Sequence, residues 1–215
     1  QVQYTPGIER IRFSSVEPGL ITEEFVSELA KMDKVCGHFH LSLQSGCNRT
    51  LKRMNRKYTA EQYEKAVELI RKYFPDAALT TDIIAGFPDE SDDDFEESLS
   101  FAKKIGFLKI HAFPYSPKRG TPAAAMENQI QNSVKNERTA RLIELSDIMG
   151  DEFIERFKGR NMPVLFEREI SENLYEGYTV NYIRVIAESK ENIQNKILDV
   201  KILSHENDTA HGEII

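Results

Sequence analysis

The chain has 215 residues, 40% hydrophobic and 29% charged, a composition typical of a folded domain of ordinary size or of a medium domain joined to a small one. Its formal net charge of −7 excludes a generally basic nucleic-acid binder, so any RNA contact must come from a local patch. Only two cysteines occur, Cys36 and Cys47, and no apolar run approaches the ~20 residues of a membrane-spanning helix. These features predict a cytoplasmic protein without disulfide bonds or membrane contact. The first residue, Gln1, is not Met, which suggests a piece of a longer protein.

Roughly the first 150 residues alternate predicted strands and helices. The strands are predicted at residues 9–15, 38–44, 79–85 and 107–115, and each is followed by Gly, Pro or a polar cluster. Helices are predicted after the capping residues Thr22, Asn48, Thr59 and Ser91, with Gly106 ending the last of them. Four strands separated by helices indicate a parallel α/β sheet, in which ligands bind at the carboxyl ends of the strands.

The last third of the sequence has a different pattern. Residues 133–157 form one predicted amphipathic helix, whose expected role is packing. After Gly159 the segments 162–166, 174–187 and 196–203 are rich in β-forming residues and have no helix between them. Closely spaced strands of this kind predict a small separate barrel. We therefore divide the chain into an α/β part, residues 1–155, and an all-β part, residues 156–215.

Individual residues leave several chemistries open. His38 and His40 share one face of a predicted strand and Cys36 is close by, which would suit a zinc site, although the spacing is not that of a zinc finger. Buried or hydrogen-bonded histidines lining a pocket are the alternative. Cys47 could be a nucleophile, but the sequence places no base beside it. The sequence Gly86-Phe87-Pro88 after a strand allows close backbone approach to a ligand, and alone it is weak evidence.

Five segments become specific when they are taken together. They are residues 14–18 (SSVEP), 40–47 (HLSLQSGC), 51–59 (LKRMNRKYT), 81–88 (TDIIAGFP) and 111–116 (HAFPYS). In this order and spacing they resemble the radical-SAM methylthiotransferase family over nearly the whole chain. Residues 164–167 (VLFE) and 177–185 (GYTVNYIRV) resemble the TRAM domain that this family carries at its C-terminus.

The resemblance implies a fold and a chemistry. Family members combine an N-terminal domain holding one [4Fe-4S] cluster, a TIM-like radical-SAM barrel holding a second in a C-x-x-x-C-x-x-C motif, and an OB-like TRAM domain. This chain would correspond to the later barrel strands plus TRAM, without the cluster cysteines. The intact protein would use S-adenosylmethionine and its clusters to add a methylthio group to carbon 2 of a modified adenosine beside the anticodon. The chain alone is expected to bind neither cofactor and to be inactive.

The resemblance also implies cofactor-facing residues at the strand ends. They are Glu17, Gln44, Ser45, Arg56, Asp82, Gly86 and Phe87. Among them, the first three would bind the amino and carboxylate groups of the methionine moiety, and Arg56 offers a fork-shaped donor set for that carboxylate. Gly86 and Phe87 would approach the adenine, with Asp82 beneath them. A structural salt bridge between Arg56 and Asp82 is the alternative. No catalytic residue and no metal ligand is expected in this chain.

The TRAM-like segment is the expected RNA contact. Tyr178, Tyr182 and Asn181 would supply stacking and base-edge contacts, while Arg184 and Lys201 would reach phosphate groups. From residue 156 onward eight Lys or Arg stand against ten Asp or Glu, a net charge of −2. We therefore expect a weak positioning contact with tRNA rather than tight independent binding.

Some residues bear on the branch of the family. Ser42 and Cys47 are more similar to the branch that acts on threonylcarbamoyl-adenosine, since the isopentenyl-adenosine branch has Pro where Ser42 stands; the ribosomal-protein branch departs further. Asp89 and Ser91 depart from the usual family pattern after Gly-Phe-Pro, and Asp89 is expected to tilt that loop. The pair Lys118-Arg119 keeps the basic character of the loop after the last α/β strand.

Rival hypotheses remain at this point. The chain could be an RNA-binding module on a passive scaffold, or an unrelated metal-dependent enzyme of barrel type that uses Cys36, His38 and His40. The strand at 9–15 is expected to form an open sheet edge, and such edges favour self-association.

Overall fold

A computed structural model describes residues 2–215. Gln1, on which the expectation of a longer protein rests, lies outside the described residues. The α/β part contains four strands and five α-helices. In chain order they are β1 (Ile11–Val16), α1 (Glu23–Ala30), β2 (Val35–Leu41), α2 (Asn48–Arg53), α3 (Ala60–Tyr73), β3 (Ala78–Ala85), α4 (Asp92–Ile105), β4 (Lys109–Pro114) and α5 (Asn132–Glu155). The strands form one parallel sheet in the order β1-β2-β3-β4, which confirms the predicted parallel α/β sheet.

Local capping defines the helix ends. Thr59 and Ser91 each complete a capping box, with Gln62 and Asp94 as the reciprocal partners, and Gly106 ends α4 in the left-handed conformation at φ 66°. These predictions are confirmed. The predicted cap at Asn48 is wrong, because Cys47 precedes α2 as the cap residue. The Asn48 side chain instead accepts a hydrogen bond from Ala60 N at 2.8 Å, so it satisfies the first turn of α3.

The sheet packs one face against the helices. Fully buried residues such as Leu41, Leu79, Tyr63 and Leu142 belong to this core, to which α1, α3, α4 and α5 all contribute. β2 begins and ends about three residues earlier than predicted, because the chain leaves the strand at Ser42 and turns through the left-handed Gln44. The other face of the sheet is not covered by helices, and its side chains form the cavity described below.

Five further strands form a closed barrel. They are β5 (Asn161–Ser171), β6 (Leu174–Thr179), β7 (Arg184–Glu188), β8 (Ile197–Glu206) and β9 (Thr209–Ile214), in the barrel order β5-β6-β7-β9-β8. The predicted small all-β barrel is thus present, and the segment 174–187 is divided into two strands by a turn. Gly177 and Gly212 lie where a Cβ atom would come within 2.4 Å of a neighbouring strand, so the barrel closes only with glycine there.

The barrel packs against the amino ends of the sheet strands. Its core includes Ala78 and Leu108 from that end of the sheet, together with Phe157, which follows α5. Arg10, just before β1, donates hydrogen bonds to Tyr178 O at 2.6 Å and to Pro163 O at 2.9 Å. The two parts therefore share a buried interface, and the carboxyl ends of the strands remain on the side away from the barrel.

Candidate functional site

The uncovered face of the sheet lines a cavity of about 700 Å³. Alternate residues of β2, β3 and β4 line it, which is the period of two expected for a strand, whereas β1 contributes four consecutive residues. The sheet residues that line it are Arg12, Phe13, Ser14, Ser15, His38, His40, Thr80, Asp82, Lys109 and His111. We call this set the polar face. Its side chains can donate and accept hydrogen bonds and carry both charges, so it suits a polar organic ligand.

Three histidines occupy the middle of the polar face. His38 Nε2 and His40 Nδ1 lie 3.1 Å and 3.0 Å from the Thr80 hydroxyl, which joins them. His40 Nε2 lies 3.4 Å from a carboxylate oxygen of Asp82, and its ring centroid is 5.8 Å from that of His111. Asp82 therefore lies beside His40, and the ion pairs of residues 2–215 do not join it to Arg56, so the alternative of a structural salt bridge between them is wrong.

His38 is buried and uncharged. Burial lowers the pKa of His38 to about 3, and the neighbouring charges of Arg12, His40 and His111 act in the same direction. Its Nδ1 atom is buried without a protein partner within the described residues. A neutral imidazole at the floor of the cavity is a hydrogen-bonding group, not a source of positive charge.

The barrel supplies the floor of the cavity. Tyr182, in the left-handed conformation at φ 67°, stacks on Tyr178 with ring centroids 4.7 Å apart. The guanidinium carbon of Arg12 lies 3.8 Å from the Tyr182 ring centroid, and the His38 ring lies 4.6 Å from it. Both parts of the chain thus build one cavity. Periodicity could not have revealed this, because Arg12 and Tyr182 are 170 positions apart.

This arrangement changes the predicted RNA-contacting set. Asn181 is 2% exposed, and its amide donates to Asp76 O at 3.1 Å while its carbonyl accepts from Thr179, so its side chain is already hydrogen-bonded within the protein. The Arg184 guanidinium is paired with the buried Glu176, and the rings of Tyr178 and Tyr182 are already stacked. Of the predicted set, Lys201 alone is exposed and lacks an ion pair among residues 2–215.

A second group lies at the carboxyl ends of β1 and β2. The Tyr58 hydroxyl lies 3.0 Å and 3.1 Å from the backbone oxygens of Ser42 and Leu43. Burial raises the pKa of Tyr58, with Arg56 lowering it and Glu17 raising it, so both charges lie near this hydroxyl. The structure therefore brings the predicted residues Glu17 and Arg56 into one neighbourhood, where Glu17 is exposed.

Two other predicted cofactor residues have structural roles. The backbone of Gln44, at φ 66°, bridges to β3 by donating to Asp82 O at 2.8 Å and accepting from Ile84 N at 3.0 Å. Ser45 is 1% exposed, and its hydroxyl oxygen accepts from Cys47 N at 3.2 Å. The Ser45 hydroxyl is therefore buried within its own turn, and its contact with a cofactor stays a prediction. Gln44 remains at the strand end with a mostly buried side chain.

The loop after β3 is closely packed against its neighbours. Gly86 has φ 72°, and a Cβ atom there would lie 2.5 Å from Cγ of Lys135 on α5. Phe87 is 6% exposed and packs edge-to-face on Tyr115, with centroids 5.1 Å apart. The approach of Gly86 and Phe87 to an adenine therefore stays a prediction, and it would have to involve their backbone. The glycine is required by the close passage of α5 and by its positive φ.

A buried ion pair that sequence reasoning missed holds this loop. The Glu90 carboxylate accepts from Gly86 N at 2.7 Å and from the Arg138 guanidinium at 2.7 Å. Burial raises the pKa of Glu90, and the Gly86 amide and Arg138 act against that rise. Asp89, at φ 65°, is paired with Arg53, and the expected tilt of the loop stays a prediction.

The residues present do not fit a metal or an iron–sulfur cluster. Within residues 2–215 no group of three or more His, Cys, Asp and Glu could hold a metal ion, so the hypothesis based on Cys36, His38 and His40 is wrong. Cys36 and Cys47 are both buried, and desolvation raises the pKa of each thiol. A [4Fe-4S] cluster held by a C-x-x-x-C-x-x-C motif needs three thiolates, and this sequence contains only two cysteines. No helix in the described part of the chain is long and apolar enough to cross a membrane.

Comparison with known proteins bears on these observations. Residues 4–102 match the Radical SAM superfamily. The chain is 42% identical over 201 residues to threonylcarbamoyladenosine tRNA methylthiotransferase MtaB of Bacillus subtilis (strain 168), covering 92% of this chain and 45% of that protein. It is 38% identical over 217 residues to a tRNA-2-methylthio-N(6)-dimethylallyladenosine synthase of Acetivibrio thermocellus, covering 100% of this chain and 45% of that protein.

Other relatives have similar coverage. The corresponding synthase of Aquifex aeolicus (strain VF5) is 36% identical over 215 residues, covering 100% of this chain and 49% of that protein. The solved structure of coproporphyrinogen III oxidase of Escherichia coli, a radical SAM enzyme, has a TM-score of 0.49 and 11% identity, covering 91% of this chain and 46% of that chain. The chain spans about half the length of the curated relatives it matches. By sequence, the chain belongs to the radical-SAM methylthiotransferase family.

Proposed function

We propose that the protein containing this chain is a tRNA methylthiotransferase that modifies carbon 2 of an adenosine derivative next to the anticodon. The four-stranded sheet would be part of a radical-SAM barrel and the C-terminal barrel a TRAM domain. The observation that carries the proposal is the cavity of about 700 Å³, which both parts of the chain line with polar and aromatic groups. The names of the relatives given above describe enzymes that act on tRNA, which supports tRNA as the substrate class.

S-adenosylmethionine bound by the intact protein would supply a radical that activates the adenosine. This chain's own residues would bind and orient. Glu17 and Arg56, which lie near Tyr58 at the carboxyl edge, have the charges that pair with an amino and a carboxylate group. The polar face, with neutral His38 and with Asp82 beside His40, would contact the nucleoside. The barrel floor would exclude water from beneath it.

The chain alone is proposed to be inactive, because two buried cysteines cannot ligate a [4Fe-4S] cluster. The branch that modifies threonylcarbamoyl-adenosine is proposed over the isopentenyl-adenosine branch on the strength of Ser42 and Cys47. Both branches are represented among the relatives at 42% and 38% identity, so the product itself must decide.

Mass spectrometry of tRNA nucleosides tests these points. A host lacking its own methylthiotransferases would express the complete reading frame, or residues 1–215 alone. The complete frame is expected to produce 2-methylthio-threonylcarbamoyl-adenosine, and residues 1–215 alone to produce no methylthio nucleoside. Accumulation of 2-methylthio-isopentenyl-adenosine would assign the other branch. Absence of every methylthio nucleoside from the complete frame would reject the proposed function.

A matched pair of variants tests the cavity. In the complete frame, Asp82→Asn is expected to lower the methylthio nucleoside by about tenfold or more, because a hydrogen bond to a charged group is worth about 1.5–3 kcal/mol. Asp199→Asn removes the same charge from an exposed position on β8 and is expected to leave the yield unchanged. Equal yields from both variants would remove the polar face from the proposed site.

A further inference from the structure

Two buried cations lie three positions apart on α5 and differ in their partners. Arg138 is 5% exposed and is paired with Glu90 and with Asp92, each at 2.7 Å. Lys135 is also 5% exposed, yet its ammonium group forms no ion pair and no hydrogen bond within residues 2–215; Nζ lies 5.3 Å from the centroid of the Tyr115 ring. A buried cation without a carboxylate lowers stability unless a ligand supplies the opposite charge. The protein alone therefore leaves Lys135 without a counter-ion.

The Lys135 side chain lines a groove beside the loop that follows β4. The groove has a volume of about 550 Å³, and none of the ten residues that line it is Asp or Glu. Tyr115 also lines it, and the Tyr115 hydroxyl is buried with no hydrogen-bond partner in the part of the chain that the structure describes. A hydroxyl and an ammonium group can both donate to an anion. The groove thus holds two donors whose acceptor is not supplied by the protein.

The amino end of α5 forms one wall of the same groove. Asn132, the first residue of the helix, lines the groove, and Gln131 at the cap position makes no side-chain hydrogen bond to the first turn. The first turn contains no Asp or Glu. The first backbone N–H groups of a helix carry a partial positive charge, which here no side chain neutralises. An uncapped helix end and a buried ammonium group in one groove favour an oxyanion.

Close packing holds both donors in position. Gly86, at φ 72°, lies so near α5 that a Cβ atom there would be 2.5 Å from Lys135 Cγ. Tyr115 packs edge-to-face on Phe87, and its backbone N–H donates to Ala85 O at 2.8 Å. Because the ends of β3 and β4 already fix these side chains, binding an anion would restrict them little further.

The groove is separate from the proposed cofactor contacts. Glu17 and Arg56 lie near Tyr58, which donates to the backbone oxygens of Ser42 and Leu43 after β2. The groove follows β4 instead, two strands away in the sheet order β1-β2-β3-β4. Two strand spacings are about 10 Å, so a carboxylate beside Tyr58 does not fill the groove.

We propose that Lys135, Tyr115 and the amino end of α5 bind an oxyanion of the substrate RNA. The site deepens the proposed function and rests on it for the identity of the RNA as tRNA. Two groups of such a substrate have this chemistry, namely a backbone phosphate and the free carboxylate of a threonylcarbamoyl substituent. Either would lie at the carboxyl edge of the sheet, the side at which parallel α/β sheets bind their ligands.

Binding of tRNA by the complete protein tests the site. Lys135→Met keeps the packed stem and removes the ammonium group, whereas Tyr115→Phe removes only the hydroxyl. The first variant is expected to weaken tRNA binding about tenfold, and the second about threefold, because a bond from a charged donor is the stronger one. Lys103→Met, the control, removes an exposed charge without an ion pair in residues 2–215 from the last turn of α4. It is expected to change affinity by less than about twofold.

Two tRNA preparations distinguish the sources of the oxyanion. One carries threonylcarbamoyl-adenosine beside the anticodon, and the other is the unmodified transcript. If a phosphate is bound, Lys135→Met should weaken the binding of both equally and reduce the slope of log K against log salt by about 1. If the carboxylate is bound, the loss should be confined to the modified tRNA.

Urea denaturation of the complete protein without RNA separates a binding role from a structural one. Because Lys135 has no counter-ion within residues 2–215, Lys135→Met should leave the denaturation midpoint unchanged or raise it. A lower midpoint, an unchanged affinity for both tRNAs, or an equal loss in Lys103→Met would each overturn the site. So would a failure of the unaltered protein to bind either tRNA. A loss of S-adenosylmethionine affinity in Lys135→Met would assign the lysine to the cofactor and would also overturn it.

Nucleoside analysis judges the methylthiotransferase activity separately. If the complete protein forms a methylthio nucleoside and Lys135→Met binds tRNA like the unaltered protein, only the oxyanion site is rejected. If no methylthio nucleoside is formed, the proposed function fails, and the difference between Lys135→Met and Lys103→Met with the unmodified transcript still tests the site.

Discussion

The two ends of the parallel sheet differ in what covers them. At the amino ends, Ala78 and Leu108 are buried in the same core as Phe157 and the barrel strands. At the carboxyl ends, loops cover the sheet and carry charged side chains such as Glu17 and Arg56 near Tyr58. One end is therefore built for stability and the other is left for binding, as in complete α/β barrels.

The largest effect is expected from breaking the shared core. Phe157→Ala removes a fully buried ring that joins α5 to the barrel, and it should lower the free energy of unfolding by about 4 kcal/mol. Ile148→Ala, on an exposed position of α5, is the control and should change it by less than about 0.5 kcal/mol. Urea denaturation measures both. If Phe157→Ala disturbs the barrel and leaves the sheet at full stability, the two parts do not share a core in the way inferred.

At the carboxyl end, the buried pair of Glu90 and Arg138 should matter next. Glu90→Gln leaves the buried guanidinium with the exposed Asp92 as its remaining partner and should cost about 3 kcal/mol. Glu96→Gln breaks an exposed pair between Glu96 on α4 and Arg141 on α5, and should cost less than about 1 kcal/mol. Equal costs in urea denaturation would show that burial of the first pair is not what makes it important.

How much of the difference between the two ends could be predicted depends on how far apart the interacting residues lie in the sequence. The strands, the capping boxes at Thr59 and Ser91 and the left-handed Gly106 follow from neighbouring residues, and sequence patterns indicated them correctly. Glu90 and Arg138 are 48 positions apart, and no local pattern links them. The burial of Ser45 could not be predicted for a different reason. Its hydroxyl bonds within its own turn, and only the packing of the turn shows that it is buried.

The polar face gives a pH-dependent effect of intermediate size. Because the pKa of His38 falls from 6.5 to about 3 in the folded chain, the unfolded chain binds more protons between these values. His38 therefore contributes stability that is present above pH 6.5 and is lost as the pH falls toward 3. Between pH 7.5 and pH 5.0 the loss should be about 2 kcal/mol.

Comparison of the unaltered chain with His38→Gln isolates the contribution of His38 to the pH dependence of stability. The free energy of unfolding that the variant loses between pH 7.5 and pH 5.0 should be smaller by ~2 kcal/mol, because glutamine does not titrate in this range. Urea denaturation at pH 7.5 and pH 5.0 gives the two differences. An identical pH dependence in both proteins would mean that the imidazole is not held neutral at the cavity floor.

The smallest effect that still separates the two ends comes from Asn181, whose amide joins the barrel to Asp76 at the amino end of β3. Asn181→Ala removes hydrogen bonds to Thr179 and to the Asp76 backbone and should cost about 1–2 kcal/mol of stability. Asn136→Ala, exposed on α5, should cost nothing measurable. Affinity for tRNA, measured where both variants are folded, should stay at the unaltered value, because the Asn181 side chain is buried. Reduced affinity with unchanged stability would return Asn181 to the RNA surface and would make the amino end a binding end as well.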